Sequence, residues 1–343
     1  MKRAYLLSII LIIANINVFA LNPENKLFTS HSDPYLADAD TTVQKLIFRQ
    51  AGSLPFPLVF HSAVTDSSYA YTIGGVSLKS GLSRQALKYD PVSDQWIQLS
   101  NKIKPVVQAS AGYIAATHKI YIIGGLTSLI NFSLFGAVQT VDVKTGEVEQ
   151  LKIENPMPRA YAGSAVWNNK MYIFGGSTKV TTGFQGVSTN AFYEFDPLTN
   201  IFTKLPDMPE AVQTSGTVVN GILYVFGGYN SQLNKTSKNI YAYDIQQQKW
   251  QLVCKSPVDL TANGISAYGD LIFITGGYYN QGLTAYLNTI THEFKVIKSN
   301  LSPRKHSSAV SLYGHLMVIG GMNDISSLKS NQVADLKDIL LQE

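Results

Sequence analysis

One short phrase, a β-forming apolar run closed by two glycines, recurs six times in this chain of 343 residues. Its copies are Tyr71-Thr72-Ile73-Gly74-Gly75, Tyr121-Ile122-Ile123-Gly124-Gly125, Tyr172-Ile173-Phe174-Gly175-Gly176, Tyr224-Val225-Phe226-Gly227-Gly228, Phe273-Ile274-Thr275-Gly276-Gly277 and Met317-Val318-Ile319-Gly320-Gly321. Their first glycines are separated by 50, 51, 52, 49 and 44 residues, so six equal structural units account for the chain. Ahead of each phrase lies a strand of small residues, such as Ser110-Ala111-Gly112, Gly163-Ser164-Ala165 or Ser307-Ser308-Ala309. Behind it, an apolar residue followed by Asp or Asn is answered seven positions later by another apolar residue: Tyr89 with Trp96, Val141 with Val148, Phe195 with Phe202, Tyr243 with Trp250, Leu287 with Phe294. Turn formers such as Asp90-Pro91-Val92-Ser93 stand between, which predicts hairpins whose large side chains face each other. Small residues on one strand and large ones on the outer pair describe a wedge. Six such wedges converge on an axis where only small side chains fit.

Composition agrees. The chain is 45% hydrophobic and only 15% charged, enough to bury a large core and incompatible with general disorder. Its 26 Gly, 19 Tyr and 15 Phe favour sheet and turn over helix. The formal charge is +4, or +2 once Lys2 and Arg3 are set aside, too near balance to indicate nucleic acid. Cys254 is the only cysteine, so no intrachain disulfide can form, and it reads as a small buried hydrophobe.

On its Gly74-Gly75, Tyr89-Asp90-Pro91 and Trp96 elements, with degraded copies elsewhere, the sequence resembles the kelch family of β-propellers over residues 43–339. The resemblance implies an all-β, six-bladed kelch propeller with four-stranded antiparallel blades. Only 22 residues follow Gly321, enough for one strand around residues 331–339 but not for an outermost one. The amino-terminal segment 42–48 is expected to supply that strand and tie the ring shut, removing two sheet edges. Val333, Leu336, Ile339 and Leu340 also fit one face of a terminal helix, so strand and helix both remain open there.

The first twenty residues read as a signal peptide. Lys2 and Arg3 precede a short apolar stretch, and Val18-Phe19-Ala20 offers a cleavage site after Ala20. A periplasmic or secreted product is expected, with an extension over 21–42, a propeller over 43–343, no transmembrane segment in the mature chain and a monomeric state.

In a four-stranded blade the loop leading into the innermost strand and the loop leaving the second strand open on one face. Loops held on a rigid scaffold are where binding resides. The inbound loops carry Gln108, Arg159, Tyr161, Glu210, Gln213, Asp259, Asn263, Arg304, Lys305 and His306; the outbound loops carry Tyr229, Asn230, Tyr278, Tyr279 and Asn280. Aromatics interleaved with amides and a few cations suit a protein segment or a glycan. Arg159 and Arg304 each stand sixteen residues before a first glycine, in units three and six, so the pair is a candidate to bracket an acidic ligand; the alternative is that each braces its own blade. The outbound loop 126–136 is unusually apolar, either a partner-binding patch or a flap folded over the rim.

Catalytic signatures are sparse. The six histidines and single cysteine show no metal-ligand spacing, and no metal or cofactor is expected. Binding without turnover is therefore the expected activity. The enzymatic alternative comes from resemblance to exported kelch proteins of the N-acetylneuraminate epimerase type. In that reading Glu210 or Asp259 would supply the acid–base group of a sugar mutarotase, and Arg159 or Arg304 would hold the sugar carboxylate.

Overall fold

The computed structural model describes residues 45–77, 80–181 and 186–340. The signal peptide and extension read from the sequence lie outside these residues. Six four-stranded antiparallel sheets follow one another along the chain. From innermost to outermost strand, the first blade comprises Ser62–Thr65, Ala70–Ile73, Ala86–Asp90 and Gln95–Ser100. The second comprises Ser110–Ile114, Lys119–Ile123, Ala137–Asp142 and Val148–Glu154, and the third Gly163–Trp167, Lys170–Phe174, Phe192–Asp196 and Ile201–Leu205. In the fourth, Gln213–Val219, Ile222–Asn230, Lys235–Asp244 and Lys249–Lys255 build the longest hairpins. The fifth holds Gly264–Tyr268, Leu271–Thr275, Thr284–Asn288 and Phe294–Val296. Each innermost strand touches those of the two flanking blades, and the first touches the sixth, so the ring is closed.

The sixth blade draws on both ends of the described chain: Ser308–Leu312, His315–Ile319, Asn331–Asp335 and, outermost, Phe48–Ala51. Closure by an amino-terminal strand is as expected, but its position is corrected. The closing strand begins at Phe48, paired with Ala334, and ends at Ala51, paired with Asn331. Lys45–Leu46 instead runs parallel to Lys298–Ser299 beside the fifth blade, and residues 42–44 lie outside the described residues. At the other end both expectations hold in part. Asn331–Asp335 is strand and Lys337–Leu340 is a helical turn.

The glycine pairs are latches between blades. The N–H of Gly75, Gly125, Gly176, Gly228, Gly277 and Gly321 donates to the carbonyl of Val106, Arg159, Val212, Leu260, Arg304 and Leu58, each at 2.8–3.0 Å and each in the blade next door. In five of the six pairs, a Cβ on the first glycine would stand under 3.0 Å from that same carbonyl oxygen, and both glycines have positive φ. Only glycine meets both demands. Innermost serines add a second set of ties. Ser62, Ser164 and Ser308 donate their hydroxyls to Ala109, Ala111 and His61 carbonyls of adjacent blades.

All five outer pairs read from the sequence stand directly opposite one another. Tyr89 and Trp96 have ring centroids 5.2 Å apart, Tyr243 and Trp250 4.8 Å. The Asp or Asn that follows the first partner closes the turn by accepting backbone N–H bonds. Asp90, Asp142, Asp196, Asp244 and Asn288 all do so at 2.8–2.9 Å. Trp96 and Trp250 donate their indole N–H to the carbonyls of Gly52 and Pro206, reaching the blades before their own. Cys254, on the outermost strand of the fourth blade, is half-buried rather than buried, and burial raises its thiol pKa.

The core is divided accordingly. Six apolar clusters fill the six seams, for example Phe273, Tyr286, Leu316 and Val318 between blades five and six. A seventh lies among the loops of one face, around Val59, Phe60, Val107, Leu126 and Met322.

Candidate functional site

Inbound and outbound loops do share a face. Backbone bridges join Val59 to Val76, Val107 to Leu126, Ala160 to Ser177 and Lys305 to Met322. Just inside each bridge the inbound chain turns through one residue and enters the innermost strand. Phe60, Gln108, Tyr161, Ala262 and His306 occupy this position with φ between 53° and 60°, a conformation rare for residues other than glycine. Their backbones form a collar: Gln108 N–H donates to Phe60, Tyr161 N–H to Gln108, Thr214 N–H to Tyr161 and His306 N–H to Ala262. The left-handed turn brings all five residues to the lining of one cavity.

The collar rims a cavity of about 330 Å³ at the channel mouth. Phe60, Tyr161, Tyr229, Tyr278, Tyr279 and His306 supply its aromatic wall; Gln108, Gln213, Asn234 and Asn263 supply amides. Phe60 and His306 have ring centroids 4.4 Å apart, and Tyr278 meets His306 edge-on at 6.3 Å. Burial beside Lys305 pushes the His306 imidazole down to about 3, so it is neutral at physiological pH. Burial also pushes the Tyr278 phenol up to about 12 and raises Tyr161 further. No Asp, Glu, Lys or Arg lines this cavity among the described residues.

Eight of the residues nominated from sequence therefore meet at one place: Gln108, Tyr161, Gln213, Tyr229, Asn263, Tyr278, Tyr279 and His306. The others lie elsewhere. Arg159 is 4% exposed and donates to the Ala191 and Ile173 carbonyls of its own blade at 2.7 and 3.0 Å. Arg304 is fully buried, bonded to the Ser302, Gly320 and Ser330 carbonyls and to Gln332 Oε1. Each arginine braces a blade, and the two do not bracket a ligand across the axis. Glu210 accepts hydrogen bonds from Asn239 and Tyr241, and Asp259 from Thr236 with Lys238 3.8 Å away. Neither carboxylate reaches the cavity wall. The Asn230 side-chain amide donates to the Ala211 carbonyl, and the Asn280 backbone carbonyl accepts from the Leu283 N–H within its own loop. The mutarotase constellation is thus dispersed. Lys305 sits behind the wall, 2.9 Å from Asp324 and over the Tyr278 ring.

The apolar loop 126–136 folds inward. Leu126 and Leu129 are buried in the loop-face cluster, with Phe132 and Leu134 packed against it. Among the described residues no group of three or more His, Cys, Asp or Glu side chains is placed to hold a metal ion. No helix there is long and apolar enough to cross a membrane. Phe60 was not nominated from sequence, although a positional signal existed: Phe60, Tyr161, Gln213, Ala262 and His306 each stand fourteen residues before a first glycine.

The amino-acid sequence matches the Attractin/LZTR1 β-propeller family over residues 29–287. The chain belongs to that family, and it is a kelch-type propeller. It is similar to Kelch-like protein 23 of Homo sapiens, 30% identical over 206 residues that cover 60% of this chain and 34% of the relative. It is also similar to beta-scruin of Limulus polyphemus, 26% identical over 241 residues, 66% of this chain and 25% of the relative. This kelch-type propeller thus spans about a third or less of the length of these curated relatives.

Proposed function

We propose that this kelch-type propeller is an exported binding scaffold that engages a protein partner through its loop face, at the mouth of the central channel. One observation carries the reading. The sheets aim a collar of aromatic and amide side chains into a cavity that holds neither a charged catalytic pair nor a metal-ligand cluster among the described residues. Such a surface suits recognition, and among the described residues its wall carries no carboxylate, ammonium or guanidinium to pair with its histidines and tyrosines in turnover. The basic, apolar and small-residue pattern of residues 1–20 supports export. A glycan is the other ligand class that an aromatic-amide wall accommodates.

Cross-linking mass spectrometry of the chain incubated with its own secreted or envelope fraction tests the reading. Links to a partner are expected from Lys179 and Lys235, which are exposed on the loop face. Links confined to Lys144, exposed at a turn on the opposite face, would reject it.

A further inference from the structure

We propose that the mouth takes the uncharged aromatic or long aliphatic side chain of an extended polypeptide segment, whose flanking residues lie across an apolar crown on the surrounding loops. This rests on the loop-face reading above and specifies its ligand. The crown adds to the cavity and shares only Tyr279 with its wall. Among the described residues, five consecutive blades each expose one large apolar residue on the outbound loop: Ile130, Val187, Leu233, Tyr279 and Ile325 in blades two to six. Leu233 is 71% and Ile325 93% exposed. Single exposed hydrophobics are ordinary, but one per loop around a common mouth makes a rim.

Charge and size select the occupant. An ionised ligand group entering the cavity would lose hydration and meet no counter-charge, since no Asp, Glu, Lys or Arg lines it among the described residues and Lys305, behind the wall, is 4% exposed and engaged by Asp324. Polar capacity remains for peptide bonds. The Gln213 amide donates to Ser177 and keeps its carbonyl, and the Gln108 amide stands in the wall. At about 330 Å³ the cavity is at the small end of the usual ligand range of about 300–1,000 Å³, room for one large side chain rather than an oligosaccharide. Aliphatic rim residues make no hydrogen bonds to sugar hydroxyls and would strip water from them, whereas they suit apolar side chains beside an anchor.

Panning phage-displayed random twelve-residue peptides on the immobilised full chain, followed by anisotropy with synthetic copies of enriched sequences, tests the proposal. Enriched peptides should share one aromatic or long aliphatic residue in an uncharged setting. Their Kd should change less than about twofold between about 0.05 and 0.5 M NaCl. Gln108→Glu, which places a carboxylate in the wall, should weaken binding about tenfold or more. The Leu233→Asp/Ile325→Asp double variant, confined to exposed positions, should weaken it about threefold with an unchanged thermal midpoint. Enrichment of acidic or basic peptides with strong salt dependence, or no enrichment at all, would overturn the proposal. Binding of chitotetraose that Gln108→Glu abolishes, with no peptide enriched, would overturn it while leaving the loop-face reading intact. Peptide binding indifferent to both variants would overturn both.

Discussion

His61 is a buried imidazole held in a setting that opposes its charged form. It is 7% exposed at the seam between the first and sixth blades, with its ring against Gly320, and its ring nitrogens find nothing better than a poor approach to the Leu58 backbone. Burial pushes it down to about 4; the Leu58 backbone offsets only part of that cost. The folded state therefore refuses a proton that the unfolded chain accepts below about 6.5. Stability from this group is complete above that pH, falls as pH drops from about 6.5 to about 4, and levels off below, a loss of about 2–3 kcal/mol by pH 4.5. Urea titrations at pH 7.5 and 4.5 should show a loss in the wild type that includes a like contribution from His306, and a loss smaller by this amount in His61→Leu. The glycines make a second residue-scale prediction. Gly276→Ala must displace the Arg304 carbonyl that latches two blades, whereas Gly269→Ala has open space and meets only its positive φ. We expect about 3 kcal/mol or more for the first and about 1 kcal/mol for the second by calorimetry. At this scale the glycine pairs were legible because only one residue type can occupy them. The left-handed collar was hidden, because Phe60, Gln108, Tyr161, Ala262 and His306 share a backbone angle and, Gln108 apart, a spacing to the glycine pair, but no side-chain chemistry.

Within single blades, the outer hairpins were readable because turn and cross-strand pair lie within eight residues of each other. Tyr89, Asp90 and Trp96 fix their geometry locally. Arg159 and Arg304 show where such reading stops. A guanidinium at a loop–strand junction can point to the channel or back between strands, and only packing decides. Both point back, and the Arg304 guanidinium, pulled down to about 10 by burial, stays ionised at neutral pH. Arg304→Lys should lower stability by about 3 kcal/mol, since an ammonium cannot span the same set of acceptors. An unfolding midpoint within error of wild type would contradict the bracing role. The amino-terminal strand was placed a few residues early because Leu46, Ile47 and Phe48 look alike in hydropathy. The pairing of Phe48 is decided from a distance by Asn300, whose amide accepts from the Phe48 N–H at 2.6 Å and donates to its carbonyl at 2.9 Å.

For the whole molecule, the ring followed from arithmetic on the repeat, while the uncharged mouth required knowing which polar groups the blades consume internally. Because the core is six seams rather than one mass, damage should spread unevenly. Removing residues 45–51 strips the sixth blade of its outermost strand and bares the edge of Asn331–Asp335. Hydrogen exchange should then accelerate in blades five, six and one and stay near wild type in blades two to four. Uniform acceleration would show that the seams are not independent. The shared blade also sets a timetable. Phe48–Ala51 must wait for Asn331–Asp335, so a nascent chain emerging from the ribosome can assemble five sheets and still lack its final seam. Until Asn331–Asp335 has been made, the growing protein carries a gap that a chaperone or a second copy of the same chain can occupy.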